Sequence, residues 1–144
     1  MALVVAKPRI HVMTPPPAQP PKLLVIDDDP ELLHSLELRF RNFELQMLAA
    51  YHGMHGIWLA TIEKPDLIIT DVRMPQGEGS YVMQCLSQRA DTSAIPVIVL
   101  TGVRNLALQA RLLQMGAVKV FHKPVAFDVL LNEISKHIGL REQV

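Results

Sequence analysis

The stretch Leu67-Ile-Ile-Thr-Asp71-Val-Arg-Met-Pro75 decides how this chain is read. Leu67, Ile68 and Ile69 make an apolar run too short for a helix and flanked by polar residues and proline, which predicts a buried strand. Asp71 stands where that strand emerges, at its carboxyl end, with a turn signal close behind at Pro75. In an open parallel sheet, ligands bind along that edge. Asp71 is therefore the candidate reacting group.

The same pattern repeats outward from it. Upstream, Leu23-Leu-Val-Ile26 is an apolar strand running into Asp27-Asp28-Asp29. Asp29 suits an N-cap and Pro30 a first helical turn, and the helix that follows places Leu33, Leu36 and Phe40 on one face. Leu45 to Leu48 is the next strand. Gly53 to Glu63 is a helix diluted by Gly53 and Gly56 and ended by Lys64-Pro65. Downstream, Val82, Cys85, Leu86 and Arg89 recur at helical spacing. Pro96 to Leu100 is a strand ending in Thr101-Gly102. Leu106, Ala110 and Leu113 mark a helix closed by Gly116. Val118 to Phe121 is a strand that delivers His122-Lys123-Pro124, and Phe127, Leu130, Leu131, Ile134 and Ile138 form the stripe of a last helix. Five strand–helix units in alternation, with apolar runs for strands, predict an α/β fold whose parallel sheet is covered by helices on both faces.

Three strand ends of such a sheet carry acids or a base to one edge: Asp27 and Asp28 from the first, Asp71 from the third, Lys123 from the fifth. Thr101 joins them from the fourth. Carboxylates held that close repel one another unless a cation sits between them. Oxygen ligands completed by water suit Mg²⁺, and no nearby Cys/His cluster argues for zinc. The set suits aspartyl-phosphate chemistry, with Asp71 as the nucleophile, Thr101 donating to a phosphoryl oxygen and Lys123 supplying fixed positive charge. Gly102 leaves room beside the reacting atom. Each residue alone has an ordinary explanation, a solvated turn, a strand-end hydroxyl or a surface lysine; the weight lies in their coincidence at successive strand ends. Asp29 is assigned to capping. His52 and His55, three apart beside a helix start, read as surface residues rather than a metal pair. His122 sits one residue before Lys123, where partial burial is expected.

Composition narrows the function classes. The 144 residues carry 14 basic and 14 acidic side chains, so the balance lacks the basic excess of a nucleic-acid or anionic-membrane binder. One cysteine, Cys85, cannot form an internal disulfide, which fits a reducing, cytoplasmic setting. No stretch approaches the length of a membrane span. Six of the eleven prolines fall within residues 1–21, which predicts an extended linker. Leu3 to Val5 and Ile10 to Val12 offer material for a short edge strand. The expected organisation is a Pro-rich extension over 1–21, one domain over 22–141 and a tail over 142–144.

With these residues in view, the chain resembles the receiver domain of two-component response regulators (the CheY-like family) over about Lys22 to Leu140. The motifs are Asp27-Asp28, Asp71 followed by Met74-Pro75 and Gly79, Thr101-Gly102, and Lys123-Pro124. The resemblance implies a flavodoxin-like (βα)5 fold with strand order 2-1-3-4-5. It implies that Asp71 accepts the phosphoryl group, that Asp28 binds Mg²⁺ directly and Asp27 through water, and that the main-chain carbonyl of Arg73 is a further metal ligand. Thr101 and Lys123 match the switch hydroxyl and the phosphate-contacting lysine, and the Lys123–Pro124 bond is expected to be cis. Implied partners are a sensor histidine kinase or histidine phosphotransfer protein as donor, and a downstream protein target or effector domain as output, with phosphorylation-dependent dimerisation as a further option. One departure stands out: the family's switch aromatic falls on Val120, and the pleat turns the adjacent Phe121 to the opposite face.

On this reading the chain is a signalling switch that catalyses only its own phosphotransfer and dephosphorylation. Two alternatives compete with it. A Mg²⁺ phosphatase of the haloacid-dehalogenase type also uses an aspartyl phosphate, but typically carries a second Asp two residues after the nucleophile, where this chain has Arg73. A scaffolding pseudo-receiver is opposed by the intact Asp27, Asp28, Asp71, Thr101 and Lys123.

Overall fold

The computed structural model describes residues 19–72 and 78–143. Within them lie β1 (Lys22–Ile26), α1 (Pro30–Phe40), β2 (Gln46–Ala50), α2 (Gly53–Glu63), β3 (Leu67–Thr70), α3 (Glu78–Gln88), β4 (Val97–Thr101), α4 (Leu106–Gln114), β5 (Lys119–His122) and α5 (Phe127–Ser135). The strands form one parallel sheet in the order β2-β1-β3-β4-β5, so the flavodoxin-like topology expected from the resemblance is present. The two stretches considered for an N-terminal edge strand, Leu3 to Val5 and Ile10 to Val12, lie outside the described residues.

Although β1, β3 and β4 are mostly apolar along their length, strand side chains alternate between two cores. Leu24, Ile26, Ile68, Val99 and Val120 pack with Ala60 of α2, Val82 and Leu86 of α3 and Leu112 of α4. Leu23, Val25, Ile69, Ile98 and Leu100 face Leu33, Leu36 and Phe40 of α1 and Leu130 and Ile134 of α5. Burying both faces is what a continuous apolar strand requires, and it leaves the two ends of the sheet as the places for polar chemistry. Val120 and Phe121 do part to opposite cores, as their pleat positions demand.

Local signals set the helix starts. Asp29 caps α1, its carboxylate accepting the Glu31 N–H at 3.0 Å, with Pro30 in the first turn. His52 caps α2 through Nδ1, which accepts the His55 N–H at 3.2 Å, and Asn105 caps α4 through the Leu108 N–H. The weak α2 pattern has a packing cause. A Cβ on Gly56 would collide with the side chain of Ile26, so glycine lets the helix lie directly on β1.

Several expectations change: β4 and β5 each run one residue later than Pro96 to Leu100 and Val118 to Phe121, and Arg89 falls just past the end of α3. β2 runs over Gln46–Ala50 rather than Leu45 to Leu48, because each of its residues pairs in register with Lys22 to Ile26 of β1 and that ladder sets its length. In α4, the stripe Leu106, Ala110, Leu113 is not the core face: Leu106 is 84% exposed, while Leu112 is fully buried beside Leu108 and Met115. Both triplets have helical spacing, and only the seating of the helix on the sheet chooses between them. At the chain's end, Glu44 N–H donates to Arg141 O at 2.7 Å and Gln143 N–H to Asn42 O at 2.8 Å, tying residues 141–143 to the turn before β2.

Candidate functional site

Parallel register brings the carboxyl ends of β1, β3, β4 and β5 to one edge. Asp71 N–H donates to Ile26 O at 3.0 Å, and Lys123 N–H donates to Thr101 O at 2.7 Å, so the backbone ladders extend one step to the residues that bear the chemistry. Asp27 and Asp71 are each 2% exposed, and Asp28 is exposed. One carboxylate oxygen from each of the three lies within 4.8 Å of the others. This all-oxygen donor set, open to solvent on the Asp28 side, fits a hard divalent cation that keeps several waters.

Lys123 organises the cluster. Its Nζ donates to Asp27 Oδ2 at 2.7 Å and to Asp71 Oδ2 at 3.0 Å. The Asp29 N–H donates to Asp27 Oδ1 at 2.9 Å, so both oxygens of Asp27 are engaged and its plane is fixed. Burial pushes the Asp27 carboxyl above its ordinary value, against the opposing pull of the Lys123 hydrogen bond and the Asp29 N–H. Burial also disfavours the Lys123 ammonium, but its bonds to Asp27 and Asp71 outweigh that and hold it above the usual lysine value. The amine thus stays charged beside the carboxylates. The Lys123–Pro124 peptide is cis, as expected.

Thr101 is buried at the end of β4, and its Oγ1 accepts the Val103 N–H at 3.1 Å. Gly102 follows it, exposed, and together with Lys123, Pro124 and Asp29 borders a cavity of about 650 Å³ between α1 and the start of α5. Six of the seven residues singled out from sequence, Asp27, Asp28, Asp71, Thr101, Gly102 and Lys123, therefore come to one edge. Arg73, and with it Met74 and Pro75, lies outside the described residues. Two contributions were not legible in the motif. One is the Asp27–Lys123 ion pair, which joins residues 96 apart in sequence. The other is the Asp29 backbone, which orients Asp27 while the Asp29 side chain caps the helix.

Comparison with known proteins bears on this geometry. The response regulator receiver domain profile matches residues 23–135. The chain belongs to that family. It is 33% identical over 114 residues to PilH of Pseudomonas aeruginosa, covering 79% of this chain and 94% of PilH. It is 35% identical over 116 residues to the DNA-binding transcriptional regulator RpaA of Synechocystis, covering 79% of this chain but only 47% of RpaA. Thus the chain spans nearly all of one relative and about half of the other. Among solved structures, the signal receiver domain of a DNA-binding response regulator from Colwellia psychrerythraea is similar with a TM-score of 0.74 and 26% identity, covering 81% of this chain and 96% of that one. A response regulator from Desulfuromonas acetoxidans is similar with a TM-score of 0.71 and 26% identity, covering 81% and 94%. The chain is thus a receiver domain of two-component systems, a class of signalling switch whose members work with histidine kinases and effector domains and bind Mg²⁺ at an acidic pocket. Among the described residues, no helix is long and apolar enough to cross a membrane.

Proposed function

We propose that Asp71 accepts a phosphoryl group in a Mg²⁺-dependent reaction and that the phosphorylated state changes the affinity of this domain for a protein partner. The observation that carries this reading is the Lys123 ammonium bridging Asp27 and Asp71 inside a cluster of three carboxylates. Asp27, Asp28 and Asp71 would hold the ion, together with the backbone carbonyl of Arg73. Bound there, Mg²⁺ neutralises charge on the phosphoryl oxygens.

The chain's own residues do the rest. An Asp71 carboxylate oxygen attacks phosphorus; the new O–P bond forms as the P–N bond of a phosphohistidine donor breaks and the imidazole leaves, taking a proton from solvent. Lys123, already 3.0 Å from Asp71 Oδ2, moves its hydrogen bond to a phosphoryl oxygen and keeps its pair with Asp27. Thr101 turns its hydroxyl proton to another phosphoryl oxygen. Attack of water on the same phosphorus releases inorganic phosphate and restores Asp71. No external substrate is turned over.

The donor is a sensor histidine kinase or histidine phosphotransfer protein, and the output is a protein target or effector domain, acting in the cytoplasm. Residues 22–141 form the receiver unit and residues 1–21 a Pro-rich linker. Intact-mass measurement after incubation with Mg²⁺ and acetyl phosphate tests the core of this reading. A single phosphoryl addition, lost with EDTA and in Asp71→Asn, is the expected result. No addition in the parent overturns it and makes the acid cluster structural.

A further inference from the structure

His122 holds a polar atom that the chemistry above does not use. Its Nδ1 is shielded from solvent and finds no hydrogen-bond partner among the described residues. Buried polar atoms are nearly always paired, because leaving one unpaired costs free energy. An orphan at a strand end beside Lys123 therefore calls for a reason.

Register supplies the neighbour. On β5, Val120 packs into the core under α2, α3 and α4 and Phe121 into the core under α1 and α5, so alternation returns His122 to the side of Val120. On β4, Val99 and Leu100 part in the same way, which puts Thr101 on that side too. The ladder pairs Val99 with Val120, Leu100 with Phe121 and Thr101 with His122. Thr101 and His122 thus stand side by side on one face of the sheet, at the edge that carries Asp71. At present the Thr101 hydroxyl is engaged by the Val103 N–H, which ties the loop between β4 and α4 to the sheet.

We propose that His122 is a positioning residue for Thr101: its Nδ1–H donates to the Thr101 hydroxyl in a second state, in which Thr101 has released the Val103 N–H. This deepens the Asp71 reading and rests on it. A threonine hydroxyl has one proton and two acceptor sites. In the second state the Thr101 side chain turns its proton to a phosphoryl oxygen on Asp71 and swings its oxygen away from the Val103 N–H. The buried His122 Nδ1 on the same face, in its Nδ1–H tautomer, takes the acceptor site so given up. Val120 has no polar side-chain atom to offer, and Phe121 lies on the other side of the sheet. The exchange frees the Val103 N–H and so loosens residues 102–105, of which all but Val103 are already exposed. An event at Asp71 is thereby carried to the start of α4. The neighbouring Lys123 N–H, bonded to Thr101 O, keeps the two strand ends together while the side chains exchange partners.

The test is nitrogen-15 NMR of the full chain with Mg²⁺, with and without beryllofluoride as the phosphoryl mimic. Beryllofluoride uptake is read separately by fluorine-19 NMR. In the parent, the His122 Nδ1 proton should become a slowly exchanging, hydrogen-bonded signal, and the Val103 amide should exchange roughly tenfold faster as it is released. His122→Asn, which keeps a donor near the Nδ1 position, should retain the Val103 response. His122→Phe, which keeps a ring without a donor, should bind beryllofluoride yet lose it. A parental Val103 response in His122→Phe, or an Nδ1 that stays unbonded with the mimic present, overturns the coupling and leaves the Asp71 reading standing. A parent that takes up no beryllofluoride overturns both.

Discussion

The Lys123 ammonium lies closer to Asp27, at 2.7 Å, than to Asp71, at 3.0 Å, although Asp71 is the residue it is expected to serve. This relationship separates two jobs. On the proposed function, the Asp27 pair would anchor the lysine, and the longer contact with Asp71 would be the one exchanged for a phosphoryl oxygen. The same amine would also compete with a divalent cation held by the same carboxylates, since both would neutralise the cluster.

Lys123→Met should therefore bind Mg²⁺ more tightly than the parent by calorimetry, while the yield of phosphorylated Asp71 falls. Without Mg²⁺ the variant leaves two buried carboxylates unneutralised, at a cost of about 1–3 kcal/mol given the partial exposure of the lysine. Its melting temperature should drop accordingly and recover when Mg²⁺ is added. Equal Mg²⁺ affinities in parent and variant would contradict the competition.

Leu112→Ala and Leu106→Ala test the seating of α4. Leu112 is fully buried and its truncation should cost about 2–4 kcal/mol in urea unfolding. Leu106 is mostly exposed, and its truncation should stay within about 0.5 kcal/mol. Similar losses at both positions would refute the observed helix phase.

Gly56→Ala should destabilise the domain by about 1–3 kcal/mol, because the added methyl meets the Ile26 side chain. Combining it with Ile26→Val should recover part of that loss. Two losses that simply add would mean that the methyl does not meet Ile26.

Glu133 predicts a pH dependence. Burial pushes its carboxyl up, but hydrogen bonds and charge from Lys136 at 3.0 Å and His137 at 3.4 Å outweigh that and hold it below the usual glutamate value. A carboxyl lowered in the folded state stabilises above its unfolded value and loses that contribution as pH falls through the folded one. Glu133→Gln should therefore be less stable than the parent at pH 7, by up to about 1 kcal/mol. The two should converge in thermal melts run well below about pH 4.3. A gap that persists in acid would assign the effect to packing.

Sequence alone determined the succession of strands and helices, the parallel two-faced sheet and the residues at its carboxyl edge. These follow from apolar runs, caps and breakers that each act within a few residues, and a polar residue closing an apolar run must sit at a strand end. Asp29 as a cap and Val120 opposed to Phe121 were legible for the same reason. Only the tertiary structure decided which of two equally spaced stripes α4 buries, why α2 carries Gly56, that Lys123 pairs with Asp27, and that His122 stands beside Thr101. Each of these depends on how distant strands and helices are registered against one another. A local pattern limits the faces an element has, but the partner across the interface chooses among them.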